Sequence, residues 1–546
     1  MKKTLLRSDL RNGLSNWAHG NSMRTSILGK FICTLFLLVC FCHPVFSSEV
    51  RIIGWFVDGK STLQAYQGET VILVGDLDGE PTGLYRVDVC EKPTVTADEE
   101  IVASKNWRYS NSRGTPDTRI FWVSFEVPFD AAQTARYFAK IYRLVDGQWT
   151  NIFVQEENRL SVIKKARWII EKIDSSPYVW GMTRADIALD NSGKPYAVYP
   201  RQADNDSKIY LALRTGPNQW KKEVVAPEYS HSPSVAVDSH NKPRVFAPEF
   251  SWNGGKYFTR GDNGWNSEPV VDAGCTGTNT QFSDMAIGKN DNAHIVFGTR
   301  EICVGVIQGW VSKFTYYWQA WQPTHWLPFV TDARGQGASE AHCGWWPSIV
   351  LDNDDNIFMV HSYTEVFYSH GKRGATYSQI TWDKSTIGSG TRASLALDSH
   401  SVPHVSYIYN GKLRYAYKDG IKWPVQEPAP NCFSTGSPST IVVGVDDNPQ
   451  ICFVDQNTNT LRITRRLTKP TTISLDLSKF PLGQKQLDIS IPAPRWTTPE
   501  VIDTFGYSTS VWSPPISMVI DKRTGVVHVV YFDGEVIKYA ATSYEH

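Results

Sequence analysis

The sequence predicts an all-β chain built largely from one repeated four-strand unit, and three observations carry that expectation. The composition is rich in aromatics, with 20 Trp, 24 Tyr and 24 Phe beside 39 Gly and 30 Pro. Aromatic side chains favour strands, while Gly and Pro punctuate turns. One eight-residue segment recurs seven times along the last two thirds of the chain. No helical hydrophobic period interrupts that series, which argues against alternating βαβ units.

At 546 residues the chain exceeds one ordinary core, so two or more domains are expected. Lys+Arg and Asp+Glu both total 55, so no global field points to nucleic acid or to an anionic membrane. Residues 1–48 read as a signal peptide: Phe31–Cys42 (FICTLFLLVCFC) is uncharged, follows Arg24 and Lys30, and precedes the small pair Ser47 and Ser48. Translation from Met23 would give that signal an ordinary length, and an uncleaved anchor is the alternative. The mature chain is then expected to be exported, to the extracellular space or periplasm, with no membrane contact after cleavage and as a monomer.

Residues 49–165 carry strand-like runs such as RIIGWFV, TVILVGDL, LYRVDVC, RIFWVSFEV, ARYFAKIYRL and TNIFVQ. That length and rhythm predict a β-sandwich of the immunoglobulin-like kind. No catalytic motif is found within it.

The recurring segments begin at Thr183 (TRADIALD), His231 (HSPSVAVD), Gln281 (QFSDMAIG), Trp345 (WWPSIVLD), Thr391 (TRASLALD), Ser437 (SPSTIVVG) and Pro514 (PPISMVID). Each is followed by a polar turn, a second strand, a third, and often a fourth opened by Trp, as at Trp220, Trp265 and Trp423. Four strands every ~45 residues is the period of a propeller blade, so residues 166–546 are expected to form a seven-bladed β-propeller. The seventh repeat stops after its third strand. Upstream, RWIIEKID (Arg167–Asp174) echoes RWTTPEVID (Arg495–Asp503), the outer strand of blade six. The early segment is therefore expected to supply the missing outer strand and close the ring. Two insertions, one at Glu301–Val311 with its exit at Thr331–Cys343 and one at Leu467–Pro494, lengthen blades three and six. Long insertions on a regular scaffold are functional more often than not, and padding of the rim is the plainer reading for blade six.

In such a ring, the loops entering the first strand and those joining the second to the third share the face around the channel mouth. They place Arg184, Trp345, Trp346 and Arg392 there, with Arg201, Glu249, Trp252, Arg300, His361 and Glu365 beside them. Aromatic rings suit sugar faces and Arg suits carboxylate or sulfate. The plainer readings stand alongside: Trp345 and Trp346 as a channel plug, and Arg184 and Arg392, which share a repeat column, as scaffold. If the chain is an enzyme, His231 is the candidate base, with Tyr229 and His342 completing a site.

Six cysteines follow the signal (Cys90, Cys275, Cys303, Cys343, Cys432, Cys452). An even number in an exported chain favours disulfides. Cys275 with Cys303, both on the presumed ligand face, and Cys432 with Cys452, bracketing the inner strand of blade six, are the expected pairs. No cofactor is expected; DNDDN (Asp352–Asn356) offers oxygens for a structural calcium, but its place after an inner strand reads as an ordinary turn.

The repeats, as in RASLALDSHSVPHVSYIYNGKLRYAYKDGIKW from Arg392, resemble the degenerate repeats of secreted sialidase-like propellers, over roughly Arg167 to the C-terminus. The resemblance implies the propeller fold. The sialidase Asp-box is absent, and no Arg triad with a Tyr–Glu pair can be assigned. Three functions stay open: binding of carbohydrate or a cell-surface glycan at the channel mouth, a polysaccharide lyase acting on uronic-acid polymers, and a protein-interaction or adhesion scaffold.

Overall fold

The computed structural model describes residues 51–542 outside a set of loops, the longer ones being 93–98, 110–119, 128–134, 176–183, 228–231, 249–253, 272–281, 304–308, 320–325, 335–345, 374–379, 433–438, 477–485 and 507–514. Among the described residues every regular element is a β-strand. The expected signal peptide lies outside them.

The N-terminal unit consists of two sheets. One orders Lys60–Thr62, Arg51–Val57, Thr70–Asp76 and Ile120–Glu126. The other is six-stranded and centres on Gly83–Lys92 and Arg136–Val145. Strand alternation sends Trp55, Val71, Leu73, Phe121 and Val123 of the first sheet into one apolar cluster with Tyr85, Val87, Val89, Tyr137 and Ile141 of the second. The second sheet includes Glu100–Tyr109, a strand the sequence hides because its residues are mostly exposed or half-buried and polar.

Seven antiparallel sheets follow. Sheet one comprises Asp186–Leu189, Pro195–Ala203, Asp206–Gly216 and Gln219–Ala226 in sequence order. Sheets two to six begin with Ser234–Val237, Ser283–Ile287, Ser348–Leu351, Thr391–Leu397 and Thr440–Val443. Sheet seven orders Trp168–Ser175, Val536–Thr542, Val527–Asp533 and Ile516–Ile520. First strands of successive sheets are neighbours, and the first strand of sheet seven contacts that of sheet one. Trp168–Ser175 pairs antiparallel with Val536–Thr542, so the strand that precedes sheet one finishes sheet seven.

The first strand is not wholly apolar. The fourth position of the repeat is Asp186, Ser234, Asp284, Ser348, Ser394, Thr440 or Ser517. Four of these side chains accept the backbone N–H at the fifth position of the next sheet: Asp186 from Val235 at 2.9 Å, Asp284 from Ile349 at 2.9 Å, Ser348 from Leu395 at 3.3 Å and Ser394 from Ile441 at 3.3 Å. Ser517 donates to Asp186 at 2.7 Å across the closing junction. These bonds satisfy inner-strand backbone that has no ladder partner on its inner side.

The outer strands are joined by a Trp peg. Trp220 packs edge-on to Tyr539 (centroids 5.1 Å), Trp423 to Tyr368 (4.9 Å) and Trp496 to Tyr415 (4.9 Å), each Tyr lying in the preceding sheet. The indole N–H then donates to that preceding sheet's outer strand: Trp220 to Glu171, Trp423 to Ser385, Trp496 to Gln426 and Trp168 to Glu500. The echo between the two matching segments has the same logic. Asp174 accepts from Tyr199 and Lys222 of sheet one (2.9 and 2.8 Å), and Asp503 accepts from Tyr531 and Lys538 of sheet seven (2.7 and 2.9 Å).

The two insertions do different things. That of sheet three extends a hairpin, Ala293–Cys303 against Gly309–Gln319. That of sheet six forms its own hairpin, Thr471–Asp476 with Gln486–Ile491. Its Leu475 and Ile489 are fully buried against Phe56, Ile72, Val74 and Ile120 of the N-terminal unit. Rather than padding a rim, it packs one unit against the other.

One expected disulfide is corrected. Cys432 and Cys452 are not bonded to each other; both are thiols. Alternation along Pro449–Asp455 explains this: Ile451 and Phe453 face the cluster that holds Cys432, whereas Cys452 faces the cluster shared with sheet seven. The sheet itself separates the two sulfurs. Cys90 is a free, buried thiol, with its pKa pushed up to about 11 by burial. Cys275 and Cys343 lie outside the described residues, and Cys303 ends a strand whose side chain there is not described.

Candidate functional site

The second position of the repeat sits where the chain enters the first strand, at the end of the sheets opposite the turns that join the first strand to the second. It is occupied by Arg184, Ser232, Phe282, Trp346, Arg392, Pro438 and Pro515. Three of these stack across sheets three, four and five. Phe282 and Trp346 lie with centroids 4.4 Å apart at 30°, and Arg392 places its Cζ 5.1 Å from the Trp346 ring on the side of sheet five. Phe282 and Trp346 are buried and Arg392 is half-buried.

The backbone here is strained. Trp346 has φ 51° and Arg392 φ 59°. Asn and Asp visit this region readily, as Asn241, Asp291, Asp355 and Asp447 do in the turns at the other end. A bulky aromatic and an arginine do so at a cost of order 1–3 kcal/mol each, sustained only where surrounding packing over-determines the conformation. Burial also lowers the Arg392 guanidinium to about 10. A cation is thus kept in a place that penalises its charge, steadied by the π face of Trp346.

Arg184 occupies the same column in sheet one and is half-buried. Its charge acts on Asp284: burial raises that carboxyl, Arg184 pulls it down, and Asp186 raises it further. Asp186 and Asp284 hold inner-strand N–H groups, so their charges are anchored as well as balanced.

Other sequence candidates fall elsewhere. Arg201 stays on the second strand of sheet one, paired with Lys208, its Cζ 5.7 Å from the Tyr210 ring. His361 is not in a loop: it is buried within the strand Ile357–Ser362, stacked on Phe367 at 5.2 Å. Glu365 opens the third strand of sheet four and is half-buried. Arg300 lies within Ala293–Cys303. Tyr229, His231, Glu249, Trp252, His342 and Trp345 lie outside the described residues. Phe282 was passed over as a site residue, although it aligns with Trp346 and Arg392 in the repeat.

The acidic turn at Asp352–Asn356 is an Asx turn. Asp352 Oδ1 accepts from the N–H groups of Asp354 and Asn356, and Asp355 accepts from Lys289. Asp238, His240 and Asp291 also converge, but Asp238 is held by Arg244 and Asp291 by Ser239 and His240. The same Asp-Ser-His turn recurs at Asp398–His400 against Asp447, as inter-sheet bracing.

No family model matches the sequence, and no curated protein matches it. Among solved structures, the NanB sialidase from Streptococcus pneumoniae aligns at 10% identity over 91% of this chain and 98% of its own, with a TM-score of 0.35. A leech intramolecular trans-sialidase aligns at 10% identity over 91% and 98%, with a TM-score of 0.34. The fucose-specific lectin from Aleuria aurantia aligns at 11% identity over 58% and 98%, with a TM-score of 0.35. The chain is all-β, and its similarity to sialidases and a fucose-specific lectin is at very low sequence identity.

Proposed function

We propose that this is an exported carbohydrate-binding protein: a seven-bladed β-propeller at residues 166–546, preceded by a β-sandwich, that takes a glycan at its channel mouth. The cyclic contacts of seven sheets support the ring, and the shared apolar cluster of the first two sheets supports the sandwich. The observation that carries the binding site is Arg392, a desolvated cation in left-handed backbone, backed by Trp346 and Phe282. Such a guanidinium is pre-oriented for a carboxylate or sulfate oxygen, and neighbouring rings suit sugar C–H groups.

Arg392→Gly is the informative variant. Glycine accepts φ 59° without strain, so the fold is kept while the cation is removed. Glycan-array screening of the full chain, followed by titration of the best acidic ligand, is expected to show binding that falls at least about tenfold in Arg392→Gly, about 1.4 kcal/mol. Unchanged affinity in Arg392→Gly and in Trp346→Ala would move the site away from this mouth.

A further inference from the structure

The junction between sheets one and two departs from its neighbours. In sheets two, three, four, five and seven the third strand carries a tyrosine at one repeat position: Tyr257, Tyr316, Tyr368, Tyr415 and Tyr539, opposite Phe246, Val296, Val360, Ser406 and Val530, while sheet six has Ile463 opposite Cys452. Sheet one has Leu211 there, opposite Val198. The Trp peg is altered too. The pattern W-x-x-E/Q runs through WIIE, WKKE, WNSE and WPVQ, and by that pattern Trp265 of sheet two would donate to Glu223 of sheet one. Instead Glu223 is paired with Arg260 at 3.1 Å, and the buried Nε1 of Trp265 has no hydrogen-bond partner.

Beside Leu211, between sheets one and two, lies an open cleft of about 220 Å³. Its floor is apolar, formed by Leu211, Leu213, Pro243 and the half-buried ring of Tyr196. Its rim carries Lys221, Lys242 and Arg260 against the single carboxylate of Glu223. Neither Lys221 nor Lys242 has an acidic partner among the described residues, so two ammonium groups face a hollow with an aromatic wall. It lies at the turn end of the sheets, away from Trp346 and Arg392.

We infer that this cleft between sheets one and two is a second ligand site, for a carboxylate-bearing sugar such as a terminal uronate. The apolar floor and Tyr196 would take the sugar's C–H face, Lys221 and Lys242 its carboxylate, and Glu223 a hydroxyl. The cations alone would accept any anion; the floor and the hydroxyl acceptor select a hydroxylated one with an apolar face.

The test titrates the full chain with sodium glucuronate, with glucose as the uncharged control, by saturation-transfer NMR and calorimetry. Glucuronate is expected to bind at least about tenfold more tightly than glucose, and the Lys221→Gln/Lys242→Gln double variant to lose about tenfold. Leu211→Tyr installs the residue used by five other sheets and should fill the cleft, abolishing binding while the chain stays folded. Absence of glucuronate binding to the unmodified chain, or wild-type affinity in both variants, overturns the site. If Arg392→Gly removes glucuronate binding and Leu211→Tyr does not, the ligand belongs to the channel mouth: this inference fails and the proposed function stands.

Discussion

His528 makes sheet seven sensitive to acid, and the size of the effect follows from its surroundings. The residue is buried on the second strand of sheet seven, and its Nδ1 lies 2.6 Å from the hydroxyl of Tyr539. Burial depresses its pKa from 6.5 to about 4, with Asp521 opposing and Arg214 reinforcing the shift. The sign follows from proton binding. Between pH 6.5 and 4 the unfolded chain binds a proton at this position that the folded chain refuses, so stability falls as pH falls through that window. Above 6.5 the group is neutral in both states and contributes no slope. At about 1.4 kcal/mol per pH unit, the full depression corresponds to roughly 3 kcal/mol. His528→Gln installs the residue that sheet six carries at the same position, Gln450, and removes the titration. Urea unfolding of wild type and His528→Gln at pH 7.5, 6, 5 and 4.5 should give curves whose difference grows toward acid by about 2–3 kcal/mol. A difference that does not vary with pH would refute the argument, whatever its size at pH 7.5.

Three further outcomes follow from the packing. Leu475→Ala should cost about 2–5 kcal/mol of the contact between the hairpin and the N-terminal unit, read as earlier proteolytic release of that unit while the seven sheets hold. Asp174→Ala strands Tyr199 and Lys222, and is expected to lower stability by about 1–3 kcal/mol; an unchanged Tm would mean that closure does not depend on that carboxylate. Lys105 sits over the Trp122 ring, and burial lowers its pKa to about 8. The unfolded chain therefore holds the extra proton above pH 8, so stability relative to Lys105→Met should rise from pH 8 to 9.5. Parallel profiles for the two proteins would exclude that shift.

Much of the series of seven sheets was legible because its signals are local and repeated. Inner strands show as apolar runs ending in Asp or Gly, the turns as Asn- and Ser-rich, and the outer strands as Trp-led segments. The match of Arg167–Asp174 to Arg495–Asp503 was visible before its cause, the Asp174 and Asp503 ties to the next sheet. What was hidden depends on register between distant strands. The role of the fourth-position Ser and Asp is hidden, because their partners lie one sheet away. Cys432 and Cys452 flank one strand in sequence, yet alternation sends them to opposite faces. The partner of the Leu467–Pro494 insertion is an apolar face nearly four hundred residues upstream, a contact no local pattern encodes. For the site, the column holding Phe282, Trp346 and Arg392 could be aligned, but not its stacking or its backbone strain.

The pairing of Trp168–Ser175 with Val536–Thr542 also orders events during synthesis. Trp168–Ser175 waits for Val536–Thr542, so sheets one to six can form on the emerging chain while both flanks of the future junction are still open. Only when Val536–Thr542 has left the ribosome does Trp168–Ser175 gain its neighbour. A chain stopped before Val536 would present two unpaired edges together, and would be marked by association and degradation rather than by reduced binding.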